Sequence, residues 1–136
     1  MFNYLERNKV VLVYLPLVFY WMLLFTLTSL PTQSVPAVGV SDKVEHFLAY
    51  FGLSFLLYMA LLFQKKSKNF KKYALLLTLS ISFIYGIIDE VHQLLIPGRS
   101  CEFNDFIADL LGAIFGLIVI KIVLTKIFKY REQPAS

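Results

Sequence analysis

Long apolar runs separated by short polar breaks dominate the chain, and their length sets the fold class before any finer periodicity is considered. Met1 to Lys9 is polar, and from Val10 to Leu30 no charge occurs. Such a run, rising 1.5 Å per residue, spans about 31 Å, the thickness of a bilayer's hydrocarbon core. A cleaved signal peptide has a shorter apolar stretch and a small-residue cleavage site, so this run is expected to remain as a membrane helix, kinked near its start by Pro16. PTQSVPAVGV, from Pro31 to Val40, holds two prolines, a glycine and no charge, and reads as a loop. Ser41 is placed to cap a second helix that opens on Asp42, Lys43, Glu45 and His46 and crosses the membrane from about 44 to 63.

The connector QKKSKNFKK, Gln64 to Lys72, packs five lysines into a short stretch. A third helix is expected from about 73 to 96, stopped by Pro97-Gly98. A fourth follows from about 105 to 128, with Asn104 as its cap, Lys121 and Lys126 snorkelling to the interface, and a disordered tail from Lys129 to Ser136. The pattern therefore predicts an all-α fold: one domain over 1–136, an integral membrane bundle of four transmembrane helices. Helices two to four carry its polar centre and helix one packs outside them.

Composition agrees. Hydrophobic residues make up 58% of the 136, and the mean hydropathy of +0.69 is far above that of a soluble domain. The single cysteine, Cys101, excludes an internal disulfide and the cysteine-rich zinc sites. The net charge of +4 is topological and not a nucleic-acid footprint, because eleven of the thirteen basic residues fall at one membrane side if the four spans are right. Only Lys43 and Arg99 lie opposite. By the positive-inside rule both termini are expected in the cytoplasm of a multi-pass cell-membrane protein, with membrane lipids as partners and no nucleic acid.

In that topology the second helix starts, the third ends and the fourth starts at the same face. Asp89, Glu90, His92 and Gln93 fall within five positions after a long apolar run, where each membrane-embedded carboxylate costs about 2.5 to 3.5 kcal/mol and needs a partner or a polar cavity. Asp42, His46 and Tyr50 recur every four residues and share a helix face, as do Asp105 and Asp109. Candidates for acid, base or electrostatic chemistry are Asp42, His46, Asp89, Glu90, His92, Arg99 and Asp105, and those for ligand binding are Lys43, Tyr50, Gln93, Arg99 and Asp109. Arg99, after the Pro-Gly turn, is expected to reach inward to Asp89, Glu90 or Asp105, with His46 and His92 facing the same pocket. No HExxH or other dedicated ligand spacing occurs, so no metal site is predicted, and no cofactor or oligomeric state is indicated. Ser100 and Cys101 lack a nucleophile-elbow context. Gly52, Ser54 and the pair Gly112 and Gly116 mark surfaces for close helix approach.

Two blocks carry a family resemblance. SDKVEHFLAYFGLSFLLY, Ser41 to Tyr58, and GIIDEVHQLLIPGRSCEFNDFIADLLGAIFG, Gly86 to Gly116, resemble the D-K-x-x-H-x-x-x-Y and D-E-x-x-Q-x-x-x-P-G-R segments of the VanZ-like family of bacterial membrane proteins. The matching positions are Asp42, Lys43, His46, Tyr50, Asp89, Glu90, Gln93, Pro97, Gly98, Arg99, Asp105 and Gly112. Asp109 stands where the family usually has Asn, and Glu102 where a small polar residue is common. The resemblance implies a role in the bacterial envelope, since the family is named for a protein associated with low-level teicoplanin resistance. Three classes of function stay open: a polar site that binds or modifies an amphiphile such as a lipid-linked wall precursor or glycopeptide antibiotic, a non-catalytic structural or interaction protein, and a small oligomeric transporter.

Overall fold

The computed structural model describes residues 2–31, 33, 39 and 41–131. Among these every regular element is helical: α1 Phe2–Arg7, a π-helical turn over Val10–Tyr14, α2 Leu15–Thr28, α3 Asp42–Phe63, α4 Lys68–Lys72, α5 Ala74–Gln93 and α6 Phe103–Arg131. Four helical stretches of the described residues are long and apolar enough to cross a membrane, namely Val10–Thr28, Asp42–Phe63, Ala74–Gln93 and Phe103–Ile127. The loop expected at 31–40 lies mostly outside the described residues, as does the tail beyond Arg131. The part of the tail that is described continues α6 as helix, against the expectation of disorder from Lys129.

Local chemistry explains the element ends. Pro16 donates no backbone hydrogen bond and its ring crowds the carbonyl four residues earlier, so the chain widens just before it and the Leu15 N–H reaches the Val10 carbonyl. Ser41 does precede α3, but its extended backbone does the capping: its carbonyl accepts from the N–H groups of Val44 (2.9 Å) and Glu45 (3.2 Å), and its hydroxyl makes no cap bond. At the start of α6 the Glu102 carbonyl, and not Asn104, takes the first helical bonds, from Asp105 and Phe106. α5 ends three residues earlier than the Pro-Gly signal suggested. Its last turn tightens through Leu95 to His92 and Ile96 to Gln93, and a type II turn follows, with Gly98 at φ +78° and the Arg99 N–H on the Ile96 carbonyl.

α3 and α6 form the most extensive pair and define the bundle's axis. Gly112 and Gly116 lie against the backbone carbonyls of Phe47 and Phe51, an approach that any side chain on those glycines would block. Below this contact Leu117, Ile120 and Leu124 pack with Phe55, Tyr58 and Leu62. α5 completes the centre with a buried stripe of Ala74, Thr78, Ser82, Gly86, Asp89, Glu90 and Gln93, small at one end and acidic at the other. Val10–Thr28 is the least buried span and rides on α3, where the Tyr20 ring covers Gly52 and its hydroxyl donates to the Ala49 carbonyl at 3.0 Å. Leu76, Ile84, Ile88 and Val91 point outward, as side chains solvated by lipid do. At the opposite end Lys9 donates to the last carbonyl of α3, Phe63, at 3.2 Å.

Candidate functional site

The charged ends of α3, α5 and α6 meet at one end of the bundle, as the topology required. Lys43 binds both Glu102 and Asp105 at 2.9 Å; Glu102 is half-exposed while the Asp105 side chain is 2% exposed. One turn deeper, His46 Nδ1 and Asp109 Oδ1 lie 2.9 Å apart in a buried contact that ties α3 to α6 again. From α5, Glu90 Oε2 accepts the Glu102 backbone N–H at 2.8 Å. Asp89 and Glu90 are neighbours about 100° apart on their helix, so they serve different partners. Glu90 turns to the start of α6, and Asp89 turns to α2 and α3.

On that second side lies a cavity of about 190 Å³. Asp42, Glu45, His46 and Tyr50 of α3 line it together with Asp89 and Arg99, and Leu24, Leu27 and Thr28 supply an apolar wall. Arg99 does not ion-pair with Asp89, Glu90 or Asp105, in contrast to the expectation from sequence. Its guanidinium donates to the carbonyls of Leu27 (3.4 Å) and Leu30 (3.5 Å), capping the end of α2, because the type II turn carries residue 99 across the cavity mouth toward the first span. Lys43 takes the ion-pairing role instead. His92 also lies apart from the pocket: it stacks on Phe25 at 5.2 Å and its Nε2 is 3.0 Å from the Ser29 hydroxyl.

Several buried polar atoms have no hydrogen-bond partner among the described residues, including the Tyr50 hydroxyl, Glu90 Oε1, Gln93 Nε2 and Asp109 Oδ2. Such an atom costs about 1 to 3 kcal/mol when it stays dry. Two sets of side chains bring ligand atoms within 4.8 Å of one another, Asp42 with His46 and Asp105, and His46 with Glu90 and Asp109. Neither was legible as a motif, because each set draws on more than one helix.

Sequence reasoning missed Glu45 and the whole α2 wall. The only signal was the pair Thr28-Ser29 at the end of an otherwise apolar run. Cys101 is exposed, and desolvation together with the adjacent Glu90 carboxyl pushes its thiol up, which disfavours the thiolate that a nucleophile requires.

No curated protein and no solved structure matches the sequence. The family model described as VanZ/LLP1 matches residues 12–124, a segment that reaches into all four spans and contains every residue of the polar end just described. The protein belongs to the VanZ-like family of membrane proteins.

Proposed function

We propose that this protein sits in the bacterial cell membrane with both termini in the cytoplasm, and that its cavity takes the polar head of an amphiphilic envelope molecule from the outer leaflet. The observation that carries this reading is the composition of the cavity wall. Arg99, His46 and Asp89 line the same space as Leu24 and Leu27. A lipid-linked head group needs this mixture, with donors for an anionic or sugar head and an apolar wall for the first carbons of the chain. Among the described residues Arg99 donates to neutral carbonyls, so an anionic head can recruit its guanidinium without first displacing a carboxylate. A polyprenyl-linked wall precursor and the glycopeptide teicoplanin both fit this description, and the family name favours a link to the latter.

The second reading, a structural or interaction protein, is favoured by a different observation: Lys43 to Asp105 and His46 to Asp109 already pair across α3 and α6. These contacts account for the α6 side of the cluster and leave the α2 side unexplained. A polyprenyl pyrophosphate titrated into the purified protein, read by emission of the single tryptophan, Trp21, separates the two readings. Trp21 packs against the buried cluster that contains Leu24 and Tyr50, both of which line the cavity. A saturable change that is lost in a folded Arg99→Gln variant supports binding. An identical response in that variant, or none in the wild type, removes it.

A further inference from the structure

Buried acids at this end outnumber the bases that touch them. Asp89, Glu90, Asp105 and Asp109 are each more than nine-tenths buried. Lys43 is taken up by Asp105 and Glu102, and Arg99 by two backbone carbonyls. Among the described residues, His46, paired with Asp109, is the base that reaches Glu90 and Asp109 at the junction of α3, α5 and α6. Buried charge of one sign is compensated by a counter-charge or by protons.

We propose that His46, Glu90 and Asp109 form a site for one divalent first-row transition-metal ion. The three residues offer one imidazole nitrogen and two carboxylates, all buried, with ligand atoms within 4.8 Å of one another. An ion about 2.1 Å from each ligand sets them roughly 3.4 Å apart in a tetrahedral arrangement, which side-chain adjustment reaches from here. The decisive feature is what the carboxylates do with their second oxygens. Glu90 is anchored through Oε2 by the Glu102 N–H, while Glu90 Oε1 and Asp109 Oδ2 have no hydrogen-bond partner among the described residues. Asp109 Oδ2 lies beside Gly86, on the same buried stripe of α5 that carries Glu90. The Glu102 contact is of the kind that orients a metal ligand, whereas the His46 Nδ1 to Asp109 Oδ1 contact joins two of the proposed ligands and gives way to the ion. Tyr50, one turn along α3 from His46 with its hydroxyl buried and unpartnered, stands beside the site as a donor to a further ligand such as water. The mixture of nitrogen and hard oxygen favours zinc or manganese over calcium.

Metal binding is measured without any lipid, so this site and the amphiphile reading succeed or fail separately. Full-length protein in micelles is stripped with a chelator and titrated calorimetrically with Zn²⁺ and with Mn²⁺, metal content being determined in parallel. The expected result is one ion per chain, with binding at least tenfold weaker in Glu90→Gln and in Asp109→Asn and unchanged in His92→Ala. Helicity by circular dichroism verifies that each variant is folded. If both acidic variants fail to fold, Co²⁺ loading of the wild type decides: a ligand-field spectrum of a low-symmetry nitrogen and oxygen site supports the proposal, and the spectrum of the hydrated ion overturns it. Absence of stoichiometric binding in the wild type, or full binding in both folded variants, also overturns it and leaves protons as the compensating charge.

Discussion

Gly112→Ala tests the α3 to α6 contact on which the polar end depends. In a helix exposed to solvent or lipid this change is favourable by about 1 kcal/mol, because alanine restricts the unfolded chain and glycine does not. Here a Cβ on residue 112 would lie 2.9 Å from the carbonyl carbon of Phe47 and closer still to its oxygen. A carbon to oxygen contact settles near 3.3 Å or beyond, and the obstructing atoms are backbone that cannot rotate away. The two helices must therefore separate by roughly 1 Å, which forfeits a quarter to a half of the dispersion between the facing atoms. Overpacking of this kind costs about 1 to 3 kcal/mol. The shift would also stretch the His46 to Asp109 contact, now 2.9 Å and one turn away on the same two helices. Setting these losses against the propensity gain gives a net destabilisation of about 1 to 2 kcal/mol. Reversible unfolding in mixed micelles, followed by circular dichroism, measures it. Gly52→Ala is the comparison, since the atom met there is the end of the Tyr20 side chain, and it should cost less. A Gly112→Ala protein as stable as the wild type, or more so, would refute the packing argument.

Lys43→Met should destabilise more than Glu102→Gln, because it strands the buried Asp105, whereas the half-exposed Glu102 carboxylate should cost under about 1 kcal/mol to neutralise; denaturation midpoints decide, and the reverse order would contradict the assignment. Cys101, the only cysteine, lies in the connection between α5 and α6, so a membrane-impermeant maleimide should label intact cells at this position if both termini are cytoplasmic. Because its thiol is pushed up, labelling should be slow near neutral pH and should accelerate with rising pH beyond the range of an ordinary cysteine. Reporter fusions active only outside the cytoplasm should report at Ser100 and stay silent at Ser67, and the opposite pattern would invert the topology. Arg99→Lys should weaken binding of a polyprenyl pyrophosphate by roughly tenfold, since a lysine offers a point charge where the guanidinium offers a planar fork; equal affinity would remove Arg99 from the site.

The sequence alone determined the membrane class, the four spans and the convergence of their charged ends, because each rests on one-dimensional quantities. An apolar run either spans a bilayer or does not, and the connection lengths fix which ends meet. The GxxxG pair was legible for the same reason: small residues four apart share a helix face wherever the partner helix lies. Helix rotation was not legible in this way. Asp89 and Glu90 are adjacent letters, yet one lines a cavity against α2 and the other binds the start of α6. Arg99 was expected among carboxylates because opposite charges attract, but the type II turn at Pro97-Gly98 sets the direction in which its side chain leaves the backbone, and that direction leads to the carbonyls of Leu27 and Leu30. The His46, Glu90 and Asp109 cluster belongs wholly to tertiary structure. Its members come from three helices, and the close approach of α3 to α6 over Gly112 brings their ligand atoms together.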